Sequence, residues 1–253
     1  DEDCLATGQD AGASWVQMKT TKVENAKAAK DVNDNGYYYY KRGGDLGGTN
    51  TITWSVPSDI SNPSWVWENE LDEQIRHSPL IDDKKNIYVA GTQRLRKFSP
   101  DGKLLWLFVQ DEKSNTSPTM GNGVIYFRVG QGSGINRVYA LSMESGEVLF
   151  NTTIAGFDYG PDSQSLLLAG GRLFLPALAR ALQGGCDSVI AVNSSNGEQL
   201  WSYTTDKVMW NFSPSTPDGG KSLTFSSTCG VFHKLNAEDG QLIFKTGYDG
   251  DVG

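Results

Sequence analysis

Long apolar runs are missing from this sequence. Nowhere are there the roughly 20 consecutive apolar residues that a membrane-crossing helix needs, so no membrane span is expected. Runs of Lys or Arg are missing too. The 22 basic residues are scattered and outnumbered by 30 acidic ones, for a formal charge of −8. That leaves no footprint for nucleic acid or for an anionic bilayer surface. Histidine and cysteine are scarce, at two and three residues. Neither His77 nor His233 has a Cys or His at ligand spacing, so no zinc motif forms and both are expected to be structural. No G-x-S-x-G elbow supports a hydrolytic serine. The glycine-rich stretch Gly43-Gly44-Asp45-Leu46-Gly47-Gly48 lacks the Lys-Ser/Thr of a phosphate-binding loop. There is no initiator Met and no signal h-region, and the start at Asp1-Glu2-Asp3 reads as a processed or trimmed terminus.

Glycine, by contrast, is abundant, at 29 residues, and its placement is periodic. Val189 to Tyr203 reads as a β-branched strand, a Ser195-Asn196-Gly197 turn and a second apolar run with Leu200 and Trp201. The pattern recurs over 95–108, 138–150 and 231–244. The turn glycines are Gly102, Gly146, Gly197 and Gly240, separated by 44, 51 and 43 residues. Four residues after each stands a large aromatic: Trp106, Phe150, Trp201, Phe244. A second echo lies upstream, at Ser78-Pro79, Ser117-Pro118, Ser163-Gln164-Ser165 and Ser213-Pro214. Between the echoes lies another apolar strand in each unit, over 86–90, 123–129, 171–175 and 221–226. About four strands at a period of 40 to 50 residues is the signature of a β-propeller blade. The expected fold is therefore all-β, a propeller of four-stranded antiparallel blades over about 71–110, 111–154, 155–205 and 206–248. Residues 49–70 supply a partial N-terminal blade, with Thr51–Val56 as its outer strand, and 1–48 form an irregular leading segment. Four blades and a part make either a small ring of about five or the retained portion of a longer chain; the second is expected.

The unit "strand, x-x-x-G-x-x-L-W, strand" resembles the PQQ-like repeat, the blade type of quinoprotein alcohol dehydrogenases and related non-enzymatic propellers. The resemblance covers roughly 78–248. It implies that Trp106, Phe150, Trp201 and Phe244 dock between neighbouring blades and tie the ring together. It also implies what an enzyme of this family needs: a Trp floor for the quinone, a vicinal disulfide, and an Asp or Glu with Asn holding calcium. Adjacent cysteines are lacking and no motif places the acids, so no cofactor is expected.

Several local features remain. Cys186 and Cys229 each precede a turn glycine by eleven residues; they form either a loop-to-loop disulfide or two buried thiols, with Cys4 left over. Asp31, Asn33, Asn35 and Gly36 fit the first half of a calcium loop, but Arg42 stands where the closing acid belongs, so a polar turn is expected. Tyr37–Tyr40 reads as a strand exposing an aromatic pair. Trp65 and Trp67, two apart on a short strand, are either core or a ligand platform. N-x-S/T sequons occur at Asn115, Asn151, Asn193 and Asn211. Together these favour a secreted or lumenal protein, with a periplasm or organelle lumen as the alternative. The expected function is a non-catalytic scaffold docking on other protein subunits. The alternatives are a secreted carbohydrate binder or enzyme using the central funnel, and a fragment of a PQQ-dependent dehydrogenase.

Overall fold

A computed structural model of the chain describes residues 37–48, 61–67, 74–75, 77–160, 165–179 and 185–247, the side chain of Cys229 excepted. They form successive antiparallel sheets, each a simple meander. The first blade contains β1 (Leu80–Ile81), β2 (Ile87–Ala90), β3 (Arg94–Phe98) and β4 (Leu104–Val109). The second contains β5 (Thr119–Gly121), β6 (Val124–Val129), β7 (Arg137–Ser142) and β8 (Val148–Thr153). The third contains β9 (Leu167–Ala169), β10 (Arg172–Ala177), β11 (Cys186–Asn193) and β12 (Gln199–Met209). The fourth contains β13 (Ser222–Ser226), β14 (Phe232–Asn236) and β15 (Leu242–Thr246). This last blade departs from the expected four strands. Its innermost strand is reduced to one bridge, Ser215 to Thr224. Pro214 and Pro217 flank that bridge, and neither has an N–H to extend a ladder.

Burial falls from the innermost strand outward, as radial packing of blades requires. β5 and β9 are buried throughout, and β6 and β10 at all but their first residue. Sheets covered on both faces need continuous apolar runs, which Val124-Ile125-Tyr126-Phe127 supplies. The outer strands β4 and β8 alternate exposed and half-buried, and β15 is exposed along its length.

Every outer hairpin carries a register shift at the same place, and that of the third blade has a second one between Cys186 and Ser188. Lys97 opposes Trp106 while Phe98 opposes Leu104, which leaves Leu105 as an extra residue. Leu149, Leu200 and Ile243 are the extra residues of the other three blades. A bulge shifts the period-2 alternation by one. It turns the aromatic that follows inward and leaves the aliphatic before it outward.

The inward aromatic lands on the turn of the next blade. At Gly146, φ is +75° and a Cβ would lie 2.7 Å from the Trp106 ring. Trp65 lies against Gly102, Phe150 against Gly197 and Trp201 against Gly240, with corresponding distances of 2.7, 2.8 and 2.6 Å. Glycine is needed at each turn twice over, for its positive φ and for the close approach of the ring.

Residues 37–48 form no regular strand, contrary to the expectation for Tyr37–Tyr40. Only Tyr38, at 38%, is exposed, whereas Tyr40 is buried. The segment instead runs along the innermost strands. The N–H groups of Tyr38 and Tyr39 donate to Ile81 O, and Ile81 N donates to Tyr39 O. Met120 N donates to Tyr40 O at 2.9 Å, and Thr216 N to Leu46 O at 2.9 Å. Leu46 is fully buried, and its N–H donates to the Tyr40 hydroxyl. The segment therefore bonds to the first, second and fourth blades from the axial side. Residues 31–36, 51–56 and Cys4 lie outside the described residues.

Two glycine substitutions separate the two demands. Gly123 has φ +77° but open space around a Cβ, whereas Gly146 has the Trp106 ring against it. Gly123→Ala is expected to cost about 1–2 kcal/mol from the left-handed backbone alone. Gly146→Ala adds overpacking, for about 2–5 kcal/mol in all, measured as the shift in urea unfolding free energy.

Candidate functional site

The contact between blades has a polar half as well as an apolar one. Trp65 Nε1 donates to Pro100 O at 3.0 Å, Trp106 Nε1 to Met143 O at 3.1 Å and Trp201 Nε1 to Ala237 O at 3.2 Å. Each acceptor lies in the turn that ends in the contacted glycine. Phe150 has no such donor. At that interface the Tyr126 hydroxyl donates to Ser194 O at 2.8 Å, so the carbonyl is satisfied from an inner strand. Met143 O accepts two further donors, Lys97 Nζ at 2.6 Å and Tyr88 Oη at 3.4 Å. Ring, glycine and donated carbonyl thus make a latch repeated at four blade boundaries.

The fifth ring of the series departs from this. Phe244 is 44% exposed, and among the described residues its ring meets its own blade's Phe232 at 6.2 Å. Among the described residues no further turn glycine follows for it to cover. Opposite it in register stands Lys234, as Lys97 stands opposite Trp106. Lys234 Nζ lies 4.0 Å from Asp218 Oδ2. Nearby, Arg172, Asp218, Lys221, Ser222 and Lys234 line an open polar cleft of about 470 Å³.

The first latch uses a residue that the spacing did not single out. Residues 61–67 form no strand, and Ser61, not glycine, stands four before Trp65. Trp65 stacks on Phe98 at 5.8 Å, Trp67 meets the same ring at 5.3 Å, and the Arg96 guanidinium sits 4.9 Å over Trp67. Both tryptophans are engaged with the first blade. The bulge residues form a different surface: Leu105, Leu149, Leu200 and Ile243 are 42–56% exposed at equivalent points of four outer strands.

The other sequence candidates separate in space. His77 and His233 are both buried. His233 stacks on Phe225 at 5.0 Å and 7°, with Nε2 3.1 Å from Ser227 Oγ and Nδ1 3.4 Å from the Tyr203 hydroxyl. Burial, then the charge of Lys245, holds its imidazole below the ordinary value, against the pull of Asp206. Cys186 is buried, with Sγ 3.9 Å from Tyr159 O; its pairing with Cys229 concerns a side chain outside the described residues. Of the sequons, Asn151 and Asn211 are exposed. Asn193 Oδ1 accepts bonds from Ser195 N and Ser195 Oγ, closing its own turn. Among the described residues no cluster of three or more metal-ligating side chains occurs. One buried polar node had no sequence signal beyond a lone Arg in an apolar strand. The Arg128 guanidinium is fully buried, donates to Asn136 Oδ1 at 2.8 Å and to the Tyr159 carbonyl, and lies 4.0 Å over the Tyr159 ring. Burial lowers its pKa, and the interactions with Tyr159 and Cys186 oppose that.

The two tryptophan latches are expected to differ in sensitivity. Trp106→Phe leaves Met143 O with Lys97, whereas Trp201→Phe strips the indole donor from Ala237 O, in a residue 1% exposed. The second change is expected to cost about 1–3 kcal/mol more than the first, read from urea midpoints at constant m. For His233 the sign follows from its lowered pKa. The folded state refuses a proton that the unfolded chain accepts. Stability is therefore full above about pH 6.5 and declines as pH falls from there toward the folded value. Melting temperatures from pH 8 to 5 should show a flatter acid limb in His233→Gln than in the parent.

A family model of the PQQ-repeat type, described as outer membrane protein assembly factor BamB, matches residues 56–156 and 116–243. No curated protein matches the sequence. Among solved structures, quinohemoprotein alcohol dehydrogenase from Comamonas testosteroni aligns with a TM-score of 0.65 at 13% identity, over 88% of this chain and 42% of that one. At this identity the likeness is one of fold. BamB from Moraxella catarrhalis aligns with a TM-score of 0.46 at 11% identity, over 68% of this chain and 58% of that one. A quinohemoprotein alcohol dehydrogenase from Pseudomonas putida gives 0.49 at 17%, over 64% and 33%. The chain thus spans between a third and three fifths of the length of these relatives. With most of its length matched by the family model, the chain belongs to the PQQ-repeat β-propeller family described by outer membrane protein assembly factor BamB.

Proposed function

We infer that the chain is a non-catalytic interaction scaffold that binds protein partners along the rim of its blades. One observation carries this: the bulge shared by all four blades turns Leu105, Leu149, Leu200 and Ile243 outward, each 42–56% exposed. Aliphatic side chains on outer strands form an apolar surface that favours cover by a partner. The family description, an assembly factor, supports the same role. Its outer-membrane setting supports the periplasmic alternative over secretion or an organelle lumen. Use of a central funnel by a carbohydrate or a quinone is disfavoured, because residues 37–48 already bond to the innermost strands of three blades. Trp65 and Trp67, committed to Phe98, are poorly placed to serve as a sugar platform.

Migration of the native chain in extracts of its source tests this. It is expected to run as a heteromeric complex. The Leu105→Glu, Leu149→Glu, Leu200→Glu triple variant is expected to run as free chain, with its melting temperature within a few degrees of the parent's. A parent that runs as free chain, or that binds PQQ saturably in the presence of calcium, overturns the reading.

A further inference from the structure

On a chain of formal charge −8, one cleft gathers cations. It lies where the turn between β9 and β10 meets the loop leading into β13. The two are in backbone contact, since a Cβ on Gly220 would stand 3.1 Å from Gly170 N. Arg172 enters from the third blade, and Lys221 and Lys234 from the fourth, around a volume of about 470 Å³.

The existing bonds of these side chains determine what remains for a ligand. The acceptors are taken. Asp218 Oδ1 accepts Ser222 N at 2.8 Å and Lys221 N at 3.2 Å, and its Oδ2 accepts Ser222 Oγ. Asn236 Oδ1 accepts Glu238 N at 2.9 Å. The donors are left over. Among the described residues neither the Lys221 ammonium nor Asn236 Nδ2 has an acceptor. Arg172 uses Nη1 on Gly170 O at 3.0 Å, and its Nε is buried without a partner. Lys234 Nζ comes no nearer to Asp218 Oδ2 than 4.0 Å, beyond hydrogen-bond distance. Glu238 is the exception, an exposed carboxylate that also lines the cleft. A lining with its donors unused and its acceptors taken selects a ligand that only accepts. Two ammonium groups beside a guanidinium favour a doubly charged oxyanion over a single carboxylate. No aromatic side chain lines the cleft to stack a nucleobase.

We propose that this cleft binds a phosphate dianion, free or as the monoester of a small non-aromatic molecule. Lys221, Lys234 and Asn236 Nδ2 donate to its oxygens, the Arg172 guanidinium supplies charge beside them, and Glu238 opposes binding. The site does not rest on the scaffold reading, because Leu105, Leu149 and Leu200 line no part of it.

The test is calorimetric titration of the 253-residue chain in a phosphate- and sulfate-free buffer at about pH 8, where a phosphate monoester carries two charges. Salt is set at about 0.1 M to screen distant charges. Inorganic phosphate, glycerol 3-phosphate, acetate and glycerol are the probes. One-site binding is expected for at least one of the two phosphates, with acetate about tenfold weaker or worse and glycerol silent. Tighter binding of glycerol 3-phosphate assigns the ligand to the monoesters, and tighter binding of inorganic phosphate to the free ion. Lys221→Gln and Lys234→Gln should each weaken binding about tenfold. Lys221 is exposed, so the first of these should keep the parent's melting temperature. Glu238→Gln should tighten binding several-fold. Lys103→Gln, exposed beside the turn of the first blade, should change nothing.

Absence of saturable binding by either phosphate overturns the proposal. So does acetate binding as tightly as phosphate, or Lys103→Gln weakening it as much as Lys221→Gln, since the charge alone would then be acting. The triple rim variant is expected to bind phosphate as the parent does. Loss of its complex with phosphate binding intact, or the reverse in Lys221→Gln, separates this site from the rim.

Discussion

A ring pressed onto a glycine turn is the contact on which the rest of the molecule depends. Each blade is only a twisted meander, and its apolar faces need the neighbours on either side. The latch fixes how far apart those neighbours stand. With the aromatic carbon nearer to a hypothetical Cβ than real Cβ atoms approach, no side chain can intervene. The donated carbonyl then sets the height of one blade against the next. At the boundary where the ring is a phenylalanine, Tyr126 supplies the missing donor from a different strand. The boundary thus conserves the satisfied acceptor rather than the residue that satisfies it, as the cost of a buried unpaired carbonyl would require.

Much of the fold was legible because the repeating unit is local. Turn glycine and aromatic lie four residues apart, and the strand between the two sequence echoes is a plain apolar run. Periodicity in residue type therefore maps directly onto periodicity in space. The bulge was hidden inside the same spacing. Leu105, Leu149, Leu200 and Ile243 look like core in a one-dimensional pattern, and only the register shows that the strand skips at each of them. Trp65 is the converse case. It makes the same contact as Trp106, but its own turn carries Ser61 in place of glycine, so the spacing rule does not find it.

The candidate site was less legible than the fold. Phe244 fits the repeat as well as Trp201 does; what differs is whether a turn among the described residues lies beside it, and a residue's own sequence does not report its neighbour across a boundary. Arg128 sits in an apolar strand and His233 in a mixed one, and their partners come from segments 8 to 31 residues away in one case and 6 to 30 in the other. Such nodes depend on loops converging in three dimensions. Residues 37–48 depend on long-range bonds too. Nothing in Tyr37-Tyr38-Tyr39-Tyr40 distinguishes an edge strand from a strap, and the decision comes from carbonyl partners as distant as Met120 and Thr216.

That strap bears on mechanics. A run of blades joined only by pairwise contacts would accumulate small hinge motions from one end to the other. Tyr39, Tyr40 and Leu46 span the first, second and fourth blades like a chord across an arc. Any change in curvature must stretch or break a chord, so its backbone bonds hold the radius of the arc to one value. Distances between points on the outer strands then stay constant when one of them is pulled.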